Sequence, residues 1–101
     1  MVKVLYSQDD EYYTSLEVKG HAEFEDKGKD IICASVSSII FGLMNALDEL
    51  NEDVEIQELA NKIVIINNSK SNEVNDYFKL AMFQLKTIEE SYGKFIKVER
   101  K

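Results

Sequence analysis

Apolar and polar residues alternate at the start of the chain. Val2, Val4 and Tyr6 interleave with Lys3, Leu5 and Ser7, a period that predicts a strand. Gln8-Asp9-Asp10-Glu11 is a polar turn. From Tyr12 to Lys19 the alternation resumes, with Thr14, Leu16 and Val18 on one face and Ser15, Glu17 and Lys19 on the other. The two runs predict a hairpin. Ala22 to Lys29 reads as a polar loop, with Gly28 supplying backbone freedom and Phe24 the one large apolar residue.

The period then lengthens. From Asp30 to Leu50, apolar residues recur at steps of three and four (Ile32, Val36, Ile39, Ile40, Leu43, Leu47, Leu50), which predicts a helix with one buried face. Phe41 and Met44 broaden that face. Asn51-Glu52-Asp53 closes it. Val54 to Leu59 is a short strand candidate. Lys62 to Asn67 contains Ile63-Val64-Ile65-Ile66, a β-branched run expected of a strand covered on both faces. These two runs predict a second hairpin. After a polar loop, with Ser69, Ser71 or Asn72 as the cap, Val74, Phe78, Ala81, Leu85, Ile88 and Tyr92 mark a second helix. Gly93 supplies its stop. Phe95, Ile96 and Val98 predict a final strand.

The order is strand, strand, helix, strand, strand, helix, strand. The fold class that follows is α+β: a two-layer sandwich of one mixed sheet of about five strands, with both helices on one face. A chain of 101 residues fits one domain, 1–101. The pattern fixes no strand order.

Charge narrows the function classes. A net charge of -7 argues against direct nucleic-acid binding, which needs clustered Lys and Arg. It suits attraction of a basic partner, and it equally suits mere solubility. The one cysteine forbids a disulfide within the chain and fits a reducing cytoplasm. One Cys and one His are too few for a structural zinc site, and no cofactor is expected. Met1-Val2-Lys3-Val4 lacks the apolar core of a signal peptide. No uninterrupted apolar run is long enough for a bilayer, so no membrane partner is expected.

The single histidine and single cysteine sit where the period changes. His21 follows the second strand. Asp30 reads as the N-cap of the first helix, which places Cys33 in its first turn. Free amides and the helix dipole favour negative charge there. Such a position, with a neighbouring imidazolium, can lower a thiol from about 8.5 to roughly 3.5–7.5. A histidine delivered from the preceding strand end would accept the proton, as a Cys–His nucleophile requires. Taken singly, a lone cysteine is more often a small buried hydrophobe, and a lone histidine a structural residue. Taken together, at a capped helix start with a glycine-bearing loop between them, the catalytic pair is favoured. Asp30 has three readings: a cap, an orienter of His21, or both at different stages. The cap comes first. Ser37 stands one turn beyond Cys33 on the same face.

Gly20-His21-Ala22, a short loop, then Asp30-Ile31-Ile32-Cys33-Ala34-Ser35-Val36-Ser37 resembles the ribosomal-processing cysteine proteases, called Prp. The resemblance covers the whole chain in length and element order, and its specific part is Gly20 to Ser37. It implies a bacterial peptidase that removes the N-terminal extension of large ribosomal subunit protein twenty-seven. It implies His21 and Cys33 as the catalytic dyad, Gly20, Asp30 and Ser37 as supporting positions, and a homodimer. Ser35 departs from the pattern, where alanine is usual. The competing class is a non-catalytic ribosome-associated or regulatory module with a structural Cys and His.

Overall fold

A computed structural model describes residues 1–20, 27–50 and 53–101, with the backbone alone for 27–30. Its elements are β1 (Val2–Asp9), β2 (Tyr12–Lys19), α1 (Lys27–Leu50), β3 (Val54–Glu58), β4 (Lys62–Asn67), α2 (Asn72–Tyr92) and β5 (Ile96–Arg100). This is the order that the periodicity predicts. The strands form one mixed sheet in the order β3-β4-β2-β1-β5. Only β1 and β5 run parallel; the other pairs are antiparallel.

One face of the sheet is apolar because the alternation is in phase across it. Val4 pairs with Val18, and Val18 with Ile63. These residues, with Val2, Leu16, Ile65 and Ile96, are buried beneath Ile32, Val36, Ile40 and Leu47 of α1 and Val74, Phe78, Met82 and Leu85 of α2. Both helices therefore cover the same face. Fully burying a side chain of this size is worth roughly 1.5–3 kcal/mol, so the shared layer is the main source of stability.

Four local expectations are corrected. The helix does not start at Asp30: α1 begins at Lys27, so Asp30 lies inside it and is not its N-cap. Gly28 is helical and is not a loop residue. Thr14 does not join Leu16 and Val18 in the core. The register between β1 and β2 shifts after Ser7, so Gln8 faces Tyr13, and Tyr13 is the buried residue. A bulge adds one residue and turns those beyond it to the other face. The run Ile63-Val64-Ile65-Ile66 is covered on one face only: Ile63 and Ile65 are buried, Val64 and Ile66 half-buried.

Ser71 is the cap of α2, its Oγ accepting from the Val74 amide at 3.2 Å. Gly93 follows that helix in right-handed conformation, φ −59°, so it stops α2 without a left-handed turn. Ile31–Leu50 is long and apolar enough, by length and composition, to cross a membrane, although Asn45, Asp48 and Glu49 interrupt it and it is no uninterrupted apolar run. Its serines and glycine lower apolarity little. In this fold its Ile32, Val36, Ile40 and Leu47 pack on the sheet as a core helix.

Candidate active site

Strand β2 delivers Gly20 to one end of the sheet. Gly20 has φ 81°, the left-handed region that glycine adopts without steric cost. A β-carbon there would collide with the carbonyl oxygen of Met1. The Gly20 amide donates to the carbonyl of Asn61, in the turn between β3 and β4, at 3.5 Å. Three segments thus converge on the residue before His21. His21 and residues 22–26, including Phe24, lie outside the described residues.

Cys33 lies in the second turn of α1 and is half-buried. Buried neighbours Ile32 and Val36 anchor the helix on the sheet and fix its rotation. Ser37 is half-buried one turn further along the same flank. Gly42 lines the cleft between α1 and α2, about two and a half turns beyond Cys33 and so on the opposite flank. Cys33 therefore faces away from α2. The departure at Ser35 is accounted for locally: its Oγ donates to the carbonyl of Ile31 at 2.9 Å, a bond back along the helix. Asp30 is placed by its backbone, within the first turn of α1. Its contact with His21, and that of Cys33, lie outside the described residues.

The earlier helix start changes the electrostatics that the sequence implies. Unsatisfied amides belong to the first four helical residues, here 27–30. Helix-dipole effects fade within one turn. Cys33 lies beyond both. The amide of Ala34 is interior to α1 and engaged with the carbonyl four residues back, so it is not a spare donor for an oxyanion.

Two contributors carry no signal in the sequence, because both act through backbone atoms: the carbonyls of Met1 and Asn61 that bracket Gly20. Among the described residues, no group of three or more His, Cys, Asp or Glu gathers to hold a metal.

Comparison with known proteins places this chain among the cysteine peptidases. A family model described as cysteine protease Prp matches residues 1–97, and the chain belongs to that family. It is 35% identical over 100 residues to the ribosomal processing cysteine protease Prp of Mycoplasma genitalium, covering 95% of this chain and 92% of that protein. The Staphylococcus aureus protein of the same name is 28% identical over 97 residues, with 92% of each chain covered. The fold superposes on the crystal structure of S. aureus Prp in complex with a substrate peptide at TM-score 0.92 and 28% identity, covering all of both chains. It superposes on the S. aureus enzyme with a covalently linked product peptide at 0.88 and 29%. The chain is thus a cysteine protease with the Prp fold, five mixed strands and two helices.

Proposed function

We propose that this chain removes the N-terminal extension of large ribosomal subunit protein twenty-seven, with Cys33 as nucleophile and His21 as its base and acid. One observation carries the assignment of the pair. The chain belongs to a cysteine protease family and contains one cysteine and one histidine. Cys33 is half-buried on the flank of α1 that α2 leaves open. The relatives named for ribosomal processing, and the S. aureus structures with peptides, support the peptide substrate.

The Cys33 thiolate attacks the scissile carbonyl, and the C–N bond breaks to leave a thioester. His21 takes the thiol proton and gives it to the departing amine. Water then attacks the thioester, with His21 taking its proton, and the acid product leaves. Because Cys33 sits in the second turn of α1, activation of the sulfur falls to the imidazole more than to the helix end. Oxyanion donors come from the segment between Gly20 and Asp30, whose last four amides open the helix. Gly20 sets the backbone entering His21. Asp30, inside the first turn, orients the imidazole, and Ser37 lends polarity beside the sulfur.

The enzyme works as a cytoplasmic homodimer without nucleic-acid or membrane contact. Exposed Phe41, Leu80 and Phe83 on the helical layer support the subunit contact. The net charge of -7 supports attraction of a basic ribosomal protein. The test is incubation with the extended ribosomal protein of the same cell and mass measurement of the product. Loss of one N-terminal peptide, with none lost under Cys33→Ala, is expected. Cleavage by the Cys33→Ala protein overturns the nucleophile, and an intact substrate under wild type overturns the substrate.

A further inference from the structure

The sheet ends in two edges, β3 on one side and β5 on the other, and no described strand lies beyond either. They are not equivalent. On β5 the outward amide of Val98 is taken: it donates to the Glu89 carboxylate of α2 at 2.7 Å. On β3 the hydrogen bonds all run inward. The Leu59 amide donates to the Lys62 carbonyl at 2.8 Å, and the Asn68 amide to the Asp53 carbonyl at 3.0 Å. In an antiparallel pair the residues bonded to the partner strand alternate with residues that are not. Asp53, Glu55, Gln57 and Leu59 therefore face β4 with their backbone, and Val54, Ile56 and Glu58 turn their amides and carbonyls to the open side. Those three residues present about 14 Å of unpaired edge.

This edge lies on the side of the fold that Cys33 faces. Tyr13 of β2 stacks on Phe78 of α2, and Lys86 of α2 lies over the Tyr6 ring of β1, so α2 covers the β1–β5 side. α1, beside it, covers the side that ends in β3. Cys33 faces away from α2 and so toward β3. Met44 is three turns further along that same flank and is buried, and Val54 and Ile56 are packed against the core from the edge strand. The two elements also meet end to end. α1 starts at the Gly20 end of the sheet, and β3 finishes there, at Glu58 and the turn whose Asn61 carbonyl holds Gly20.

An unpaired edge is a template for another extended chain. Charge decides which chain. Residues 53–61 hold Asp53, Glu55 and Glu58, all exposed, and no cation. Two copies pairing edge to edge would set like charges against each other. A neutral or basic extended peptide meets no such repulsion. A peptidase has to hold a peptide main chain in extended form beside its nucleophile, and this edge offers that main chain donors and acceptors at the matching repeat.

We propose that the substrate peptide binds as an added strand on the open edge of β3, its backbone bonded to Val54, Ile56 and Glu58, so that it reaches the site at the Glu58 end. The inference rests on the reading of Cys33 as the nucleophile that cuts the ribosomal protein extension. It adds that the chain is recognised there largely through its backbone.

The test is steady-state cleavage of a synthetic peptide spanning the cut bond of the extended ribosomal protein. Proline is tolerated on an edge strand where its missing amide would face outward. Glu58→Pro is expected to raise KM about fivefold or more, the loss of one hydrogen bond and close contact, with kcat within about twofold. Its Cys33 should be alkylated by iodoacetamide at the wild-type rate, since that small reagent needs no edge. Glu58→Gln keeps the amide and should raise KM less. If the proline variant melts well below wild type, the wild-type protein decides the matter with a series of peptides carrying one backbone ester each. Esters should raise KM at every second position, those whose amides face β3. An unchanged KM in folded Glu58→Pro, equal losses in the proline and glutamine variants, or ester effects without alternation overturn the edge alone. A peptide left uncut by wild type overturns the substrate reading, and the edge falls with it.

Discussion

Gly20 holds a φ of 81° against the carbonyl oxygen of Met1, with no room between them for a β-carbon. Two separate constraints therefore act on one residue. A side chain in the left-handed region costs of order 1–3 kcal/mol, and contact with Met1 adds to it. The strain can relax only by moving the edge of β1 or the backbone that enters His21. Gly20→Ala is thus expected to lower stability by about 1–3 kcal/mol, read by urea unfolding. At a temperature where the variant is folded, kcat should fall by roughly tenfold or more, since an ångström of misplacement can cost about a hundredfold. Undiminished kcat in a folded Gly20→Ala protein would show that the glycine serves the fold alone.

The proposed dyad predicts a split in the kinetics. His21→Ala is expected to lower kcat by about 10²–10⁴, the usual contribution of general acid–base catalysis, with KM nearly unchanged. Alkylation of Cys33 by iodoacetamide should slow in the same variant. Ser37→Ala, one turn from the sulfur, should change kcat only a few fold. If His21→Ala is alkylated and cleaves as fast as wild type, the imidazole is not the partner of the sulfur.

Periodicity made most elements legible. Strand β2 was bounded correctly at Tyr12 and Lys19, and β4 at Lys62 and Asn67, because polar turns flank clean apolar runs. The start of α1 was not legible. Lys27, Gly28 and Lys29 carry no apolar period, and a glycine within a helix costs about 1 kcal/mol, so Asp30 looked like the first cap. The bulge at Thr14 was hidden because register belongs to a pair of strands and not to either one. In β4, apolar residues on both faces erase the alternation, so the run did not reveal that Val64 and Ile66 face outward. The parallel pairing of β1 with β5 joins the two ends of the chain, beyond any local signal. The proposed catalytic pair stands out as the sole histidine and cysteine. The backbone that brackets Gly20 did not.

Two buried asparagines hold the bulged start of β2. The Tyr13 amide donates to Asn75 Oδ1 at 2.8 Å, and Asn67 Nδ2 donates to the Tyr13 carbonyl at 3.0 Å. Both carboxamides are more than nine-tenths buried. Removing either leaves a backbone group of Tyr13 without its partner, at a cost of about 1–3 kcal/mol. Asn75→Ala and Asn67→Ala should each lower the melting temperature. The double variant should lose less than the two losses added, because both side chains hold the backbone of the same residue, Tyr13. Strict additivity in that cycle would separate the two side chains and remove their joint role in setting the register.

Tyr13 also gives the fold an alkaline limit. Burial, and then the neighbouring Tyr6, raise its phenol above the ordinary value of 10.0. The unfolded chain ionises first, so between the two values the native state binds the extra proton and stability falls as pH rises. The contribution is complete below the unfolded value and is lost as pH climbs through the folded one. Tyr13→Phe removes the titrating group while keeping the ring stacked on Phe78, whose centroid lies 6.4 Å away. Unfolding free energies from pH 8 to 11 should therefore decline in wild type and decline less in Tyr13→Phe. Parallel curves for the two proteins would assign the alkaline loss to other groups.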